Sequence, residues 1–101
     1  MAYVIRWSEE ARQDLRGILE YISQDSIQNA LSVLEKIEGS VDRLAEFPLS
    51  GHRVFEYEDN RYREVIVFQY RIIYRFLGTE VEVIAVIHGA RMLPDALDGR
   101  V

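Results

Sequence analysis

The stretch that decides the fold spans residues 61–76 and reads RYREVIVFQYRIIYRF. β-Branched and aromatic side chains dominate it, and such residues favour extended strands. We predict one strand over residues 63–68 and another over residues 70–76. Side chains alternate between the two faces of a strand. One face of the second strand should therefore carry Tyr70, Ile72, Tyr74 and Phe76, and the other Arg71, Ile73 and Arg75.

The same stretch is positively charged in an acidic protein. Its four arginines and one glutamate give +3, whereas the 101-residue chain has a net charge of −5. A sheet face that mixes isoleucine and valine with arginine is typical of a binding surface. The alternative is an ordinary surface on which arginines shield β-branched residues.

The N-terminal part predicts a strand followed by a helical hairpin. Residues 3–7 form the strand, and Ser8 is a helix N-cap. Apolar residues then recur at helical spacing in two segments. Between them we predict Asp25 as the second N-cap, with Gln28 as its capping-box partner. Phe47 to Gly51, with Pro48 inside, ends the hairpin.

The rest of the chain predicts more strands. Residues 54–57 form a strand, and residues 81–88 form a nearly continuous apolar one. Strict alternation would place Val81, Val83, Ala85 and Ile87 on one of its faces. Residues 92–97 are predicted to form a helical turn. The fold class is therefore α+β in two layers, with an antiparallel sheet of four to five strands and an N-terminal helical hairpin packed on one face. Residues 1–101 are expected to form a single domain.

Composition excludes several functional classes. The chain has no cysteine, and its two histidines are too few for a histidine-built metal site. No apolar run approaches the roughly 20 residues of a membrane span. The acidic balance argues against direct DNA binding, which depends on many contacts from lysine and arginine to phosphate. We expect a cytoplasmic protein with no cofactor, no metal and no membrane contact.

One group of residues has the chemistry of a ribonuclease. Metal-independent RNA cleavage needs a base, an acid and cations beside the phosphate. Histidine is the usual acid or base near neutral pH, so His88 could fill that role, and Arg71 and Arg91 could hold a phosphate. The alternative, which the residue types alone favour, is that His88 ends a strand and Arg91 pairs with a carboxylate.

Several runs carry a resemblance to a known family. They are Ala11-Arg12-Gln13-Asp14-Leu15, Phe47-Pro48, Gly51-His52-Arg53, Tyr70-Arg71-Ile72-Ile73-Tyr74-Arg75, Ile87-His88-Gly89-Ala90-Arg91 and Leu93-Pro94. In this order and spacing, over nearly the full length, the chain resembles toxins of the RelE/ParE superfamily from bacterial type II toxin–antitoxin modules. The resemblance implies a small sheet with a helical hairpin. It also implies a hetero-oligomer with a cognate antitoxin whose C-terminal segment wraps the toxin. We expect the antitoxin to contact Arg63, Val65, Arg71, Ile73 and Arg75.

The superfamily divides by target. RelE-like members cut messenger RNA on the ribosome, and ParE-like members inhibit DNA gyrase. The nuclease branch has lysines on the strand that matches residues 63–67 and a tyrosine near the C-terminus. This chain has Arg63 and Val65 there and no tyrosine after Tyr74. The resemblance is therefore closer to the ParE branch and implies a gyrase inhibitor, with target contacts at Arg91, Leu93 and Leu97. No catalytic residue is then expected. In the nuclease alternative, the catalytic residues would be Arg71, His88 and Arg91.

Overall fold

The computed structural model describes residues 2–57, 61–89 and 100. In chain order the elements are β1 (Val4–Trp7), α1 (Glu9–Ser23), α2 (Ile27–Asp42), a 3-10 turn (Arg43–Ala45), β2 (His52–Arg53), β3 (Tyr62–Val67), β4 (Tyr70–Phe76) and β5 (Glu80–His88). The predicted helical turn at residues 92–97 lies outside the described residues. In the described part of the chain, no helix is long and apolar enough to cross a bilayer.

The five strands form one sheet in the order β1-β5-β4-β3-β2. The predicted α+β class with its helical hairpin is confirmed, but the sheet is mixed. β1 runs parallel to β5, whereas the other neighbouring strands are antiparallel. A parallel pair needs a long crossover connection, and the helical hairpin together with the rest of the sheet provides it.

Both helices begin at a serine. Ser8 caps α1 as predicted, with its hydroxyl accepting the Ala11 N–H at 3.1 Å. The predicted cap at Asp25 is wrong, because Ser26 caps α2 and accepts the Asn29 N–H at 3.1 Å. The N–H of Asp25 still donates to the Ile22 carbonyl at 3.0 Å. Asp25 therefore belongs to the end of α1, and Ser26 is the extended residue that a cap requires.

The helices cover one face of the sheet and enclose the main core. Ala11, Ile37, Val41 and Leu44 pack there against sheet residues that include Ile72, Tyr74, Val81 and Val83. The predicted helix-facing side of β4 is therefore confirmed. Burial of this apolar area is the main stabilising contribution that positions the sheet.

A β-bulge changes the pattern of β5. Tyr74 pairs with Val83 but Ile73 pairs with Ala85, so Ile84 is an extra residue. A bulge inserts one residue and reverses the alternation beyond it. The predicted common face for Val83 and Ala85 is therefore wrong, since Ala85 belongs to the cluster on the far face of the sheet.

The far face of the sheet, which points away from the helices, is partly covered. The sequence had predicted a binding surface there. A second apolar cluster is buried there, formed by Val54, Tyr62, Ile73, Ile84, Ala85 and Ile87, with Tyr57 packed against it. The strand predicted at residues 54–57 is wrong. Those residues form a turn in which the Tyr57 N–H donates to the Val54 carbonyl at 3.1 Å. The side chains of Val54 and Tyr57 fold onto the sheet and help to bury Ile73.

Candidate functional site

Arg71, on β4, is held by two carboxylates of the same chain. Its Nη1 and Nη2 donate to the two oxygens of Glu56 at 2.9 and 3.0 Å. Its Nε donates to Glu64 Oε1 at 3.2 Å, and its Nη2 also bonds Glu64 Oε2. The side chains of Arg71 and Glu64 are only 13% and 11% exposed. Every nitrogen that can donate from Arg71 is therefore occupied within the protein.

The charges of this group are mutually stabilised. The hydrogen bond from Arg71 lowers the pKa of Glu56. The hydrogen bond to Glu56 raises the pKa of Arg71 further above its already high value. One guanidinium against two carboxylates leaves one negative charge in excess. A phosphate would have to displace a carboxylate to bind Arg71 bidentately.

Arg75 is paired in the same way. Its Nε and Nη2 contact Glu82 Oε1 at 2.7 and 2.6 Å. The hydrogen bond to Glu82 raises the pKa of Arg75. The two arginines predicted on the far face are thus present there, but each is already bonded to a carboxylate.

Arg63 and Val65 lie on the opposite face of the sheet from Arg71. In the register of β3 with β4, Arg63 pairs with Tyr74 and Val65 pairs with Ile72. Paired residues of an antiparallel ladder share a face, so both point to the helix side. Arg63 donates from Nη1 to the Gly51 carbonyl at 3.0 Å. The five residues predicted to contact an antitoxin therefore do not form one open face, and Ile73 is fully buried.

Arg71 and His88 meet at a surface hollow of about 430 Å³, although they approach it from different faces. The hollow is lined by Ile66, Phe68, Gln69, Arg71, His88 and Gly89. His88 pairs in register with Tyr70, and their rings meet edge to face with centroids 6.0 Å apart. Arg91, the third residue of the nuclease hypothesis, lies outside the described residues. So do Leu93 and Leu97, which were predicted to contact the target.

Sequence reasoning missed the exposed apolar residues of this hollow and of the turn at Val54–Tyr57. Ile66 is 52% exposed, Phe68 58% and Phe55, in the turn beside Glu56, 96%. Phe68 also has a φ of +54°. Because Ile66 and Phe68 are apolar, the sequence predicted both within a strand. Only the register of β3 with β4 shows that Ile66 lies on the face of Arg71 and that Phe68 follows the end of β3. Sequence reasoning also missed Glu56 and Glu64 as partners of Arg71, because such pairing depends on the register of β3 and on the turn at Val54–Tyr57.

A second concave surface lies between the two helices. It is a groove of about 590 Å³, with an apolar floor that includes Leu15, Leu19, Ala30 and Leu34. Ile27 and Leu31 lie along it and are exposed. Arg12, Arg16, Glu20 and Glu38 contribute charged groups to its lining. An apolar groove with charged groups suits an amphipathic helix of a partner.

The described residues contain no group of three or more histidine, cysteine, aspartate or glutamate side chains placed to hold a metal ion.

Comparisons with known proteins agree with the fold. The family model "ParE toxin of type II toxin-antitoxin system, parDE" matches residues 5–93. A Sinorhizobium fredii protein named "Putative toxin Y4kP" is 34% identical over 93 residues, covering 92% of this chain and 95% of that protein. A solved structure of the chromosomal ParDE toxin–antitoxin system of P. aeruginosa has a TM-score of 0.70 at 19% identity, covering 86% of this chain and 96% of the other. The RelBE2 toxin–antitoxin complex of Mycobacterium tuberculosis has a TM-score of 0.60 at 22% identity, covering 90% and 95%.

Proposed function

Because this chain belongs to the ParE toxin family of type II toxin–antitoxin systems, we propose that it arrests growth by binding and inhibiting DNA gyrase. A cognate antitoxin protein neutralises it in a hetero-oligomeric complex. The observation that carries the choice of target is the pairing of Arg71 with Glu56 and Glu64. Inhibition by binding requires no free catalytic cation, whereas cleavage of RNA does.

The charge distribution supports the same choice. A nuclease that works on the ribosome has to approach a dense array of phosphates, and the net charge of −5 opposes that approach. The arginines of β4 do not offset this effect locally, because Arg71 and Arg75 are each bonded to carboxylates. A protein target with a basic surface fits these charges better.

The helical groove supports the antitoxin part of the proposal. Its apolar floor and exposed Ile27 and Leu31 would accommodate the apolar side of a wrapping segment. Among the residues first expected to contact the antitoxin, Arg63 and Arg75 keep partly exposed side chains and remain proposed contacts. Val65 and Ile73 would support the sheet beneath that segment.

The test is a gyrase assay with purified toxin. Toxin is added to DNA gyrase and relaxed plasmid, and supercoiled and linear products are measured. The proposal predicts lost supercoiling or accumulated cleaved DNA, and it predicts that the antitoxin encoded beside the toxin gene reverses the effect. Normal supercoiling at a large excess of toxin would contradict the gyrase target.

A ribosome-dependent nuclease is the second candidate. The observation in its favour is that Arg71 and His88 line the same hollow. If this candidate is right, purified toxin cleaves messenger RNA on translating ribosomes, and both Arg71→Ala and His88→Ala abolish the cleavage. Under the gyrase proposal, messenger RNA stays intact in the same assay.

A further inference from the structure

We propose that Phe68, with Ile66 and Phe55, forms the surface by which this toxin docks on its protein target. These three residues are called the Phe68 patch. Ile66 and Phe68 line the hollow together with Arg71, and Phe55 directly precedes Glu56, which is bonded to Arg71. The inference rests on the proposed function, because it names where the target binds. We expect the target to present an apolar side chain or pocket beside a lysine or arginine.

The backbone of Phe68 is the first argument. Val67 pairs with Tyr70, so Phe68 and Gln69 form a two-residue hairpin turn. Phe68 has a φ of +54°, in the left-handed region that a residue with a Cβ rarely adopts. A two-residue hairpin with positive φ at its first central position normally has glycine there. A bulky aromatic residue is strained in this conformation, and such strain is concentrated at functional sites.

Exposure is the second argument. The Phe68 side chain does not offset the strain by burial, because it is 58% exposed. Ile66 is the register partner of Arg71 and lines the same hollow as Phe68. Phe55 precedes Glu56, which is itself bonded to Arg71. Ile66 and Phe68 are therefore exposed beside Arg71, and Phe55 is exposed in the turn that carries Glu56. Exposed apolar side chains grouped in this way mark an interaction site.

The support beneath the patch is the third argument. The Gly89 N–H donates to the Gln69 carbonyl at 2.7 Å, which ties the hairpin to the end of β5. The turn that carries Phe55 is held by the buried side chain of Val54 and by the two hydrogen bonds that Arg71 donates to Glu56. Aromatic side chains on supported backbone lose little entropy on binding, and aromatic residues are enriched at binding hot spots.

Charge identifies the kind of partner. The group of Arg71, Glu56 and Glu64 has one negative charge in excess, so it disfavours a phosphate or an acidic peptide. A lysine or arginine of the partner would complement it. Proteins that handle DNA display such cations, because DNA binding depends on them. The patch lies on the face of the sheet away from the helical groove, but Arg75, a proposed antitoxin contact, lies on the same face as the patch. Binding to the target and binding to the antitoxin are therefore measured separately for each variant.

The decisive variant is Phe68→Gly. Glycine relieves the strain at positive φ, so the melting temperature should stay unchanged or rise. Removal of the ring should reduce the inhibition of purified gyrase by about tenfold or more, the loss typical of a hot-spot residue. Affinity for the antitoxin encoded beside the toxin gene should stay as in the wild type. The matched control is Tyr21→Ala, which removes a 75% exposed aromatic ring from α1, and it should inhibit gyrase like the wild type.

Each other outcome has a definite meaning. If Phe68→Gly and Phe55→Ser both inhibit gyrase like the wild type, the patch is not the docking surface. If they lose antitoxin affinity but keep gyrase inhibition, the patch belongs to the antitoxin interface, and the inference is wrong. If the wild type itself does not inhibit gyrase, the proposed target fails, and growth arrest then decides the inference. If the folded Phe68→Gly variant no longer arrests growth, the patch is a docking surface for another protein target. If the variant arrests growth as strongly as the wild type, the inference about the patch is wrong.

Discussion

At the scale of single residues, Gly51 is fixed by a close contact. Its N–H donates to the buried Tyr74 hydroxyl at 3.0 Å, and that hydroxyl donates to the Pro48 carbonyl at 2.8 Å. A Cβ at position 51 would lie 2.5 Å from the Tyr74 hydroxyl and 2.7 Å from the Glu64 carbonyl oxygen. We therefore expect Gly51→Ala to lower the free energy of unfolding by about 2 kcal/mol or more, as measured by urea denaturation.

Gly17→Ala is the matched control. Gly17 lies inside α1, and an added Cβ there would meet nothing within 4 Å. Alanine is the better helix former by about 1 kcal/mol, so this variant should gain stability. If Gly51→Ala were as stable as the wild type, the close packing of the loop against Tyr74 would be wrong.

The ion pair of Glu56 with Arg71 leads to a prediction about how the stability of the fold depends on pH. The hydrogen bond from Arg71 lowers the pKa of Glu56 in the folded protein. The corresponding stabilisation is complete above the ordinary glutamate pKa of about 4.3 and is lost as the pH falls through the lower folded value. Wild type should therefore be more stable than Glu56→Gln at neutral pH, and the difference should shrink in acid.

Thermal melting across a pH series measures this difference. Glu20→Gln, at an exposed position on α1, is the control and should follow the wild type throughout. A gap between wild type and Glu56→Gln that stayed constant down to about pH 2 would show that the charge of Glu56 contributes nothing through Arg71.

At the scale of elements, the bulge in β5 depends on side chains of α1 and of the chain end. The Val86 N–H donates to the Asp14 carboxylate at 3.0 Å, and Arg100 donates to the same carboxylate at 3.0 Å. The hydrogen bond to Asp14 also raises the pKa of Arg100. We expect Asp14→Ala to destabilise the protein by about 2 kcal/mol, because it leaves the Val86 N–H without its acceptor and Arg100 without its carboxylate partner.

Two variants separate these contributions. Arg100→Met removes the ion pair but leaves the Val86 N–H bonded, so its effect should be smaller than that of Asp14→Ala. Gln13→Ala, next to Asp14 and exposed, should stay within about 0.5 kcal/mol of the wild type. Equal stabilities for Asp14→Ala and Gln13→Ala would contradict the role given to Asp14.

The elements also show what sequence reasoning could reach. Alternation correctly gave the helix-facing side of β4, since that strand carries no irregularity between Tyr70 and Ile73. It failed on β5, because a bulge at Ile84 leaves no mark in an all-apolar run. Alternation could not assign the face of Arg63 and Val65, because the face of β3 depends on its register with β4. The turn at Val54–Tyr57 reads like a strand by composition, and only its hydrogen bond distinguishes the two.

At the scale of the whole molecule, the sheet separates two surfaces of different character. The helical groove is apolar with charged groups in its lining, and the Phe68 patch is aromatic around a group with excess negative charge. A toxin that binds an antitoxin on one side and its target on the other would fit this division. Arg71 and Arg75, which the sequence predicted on a binding face, are bonded to carboxylates of the same chain.

The most direct measurement of the proposed target is plasmid topology in cells shortly after toxin induction, with messenger RNA integrity read from the same samples. We predict relaxed or linear plasmid while messenger RNA remains intact, because the proposed mechanism is inhibition of gyrase by binding. Normally supercoiled plasmid together with cleaved messenger RNA would contradict this account.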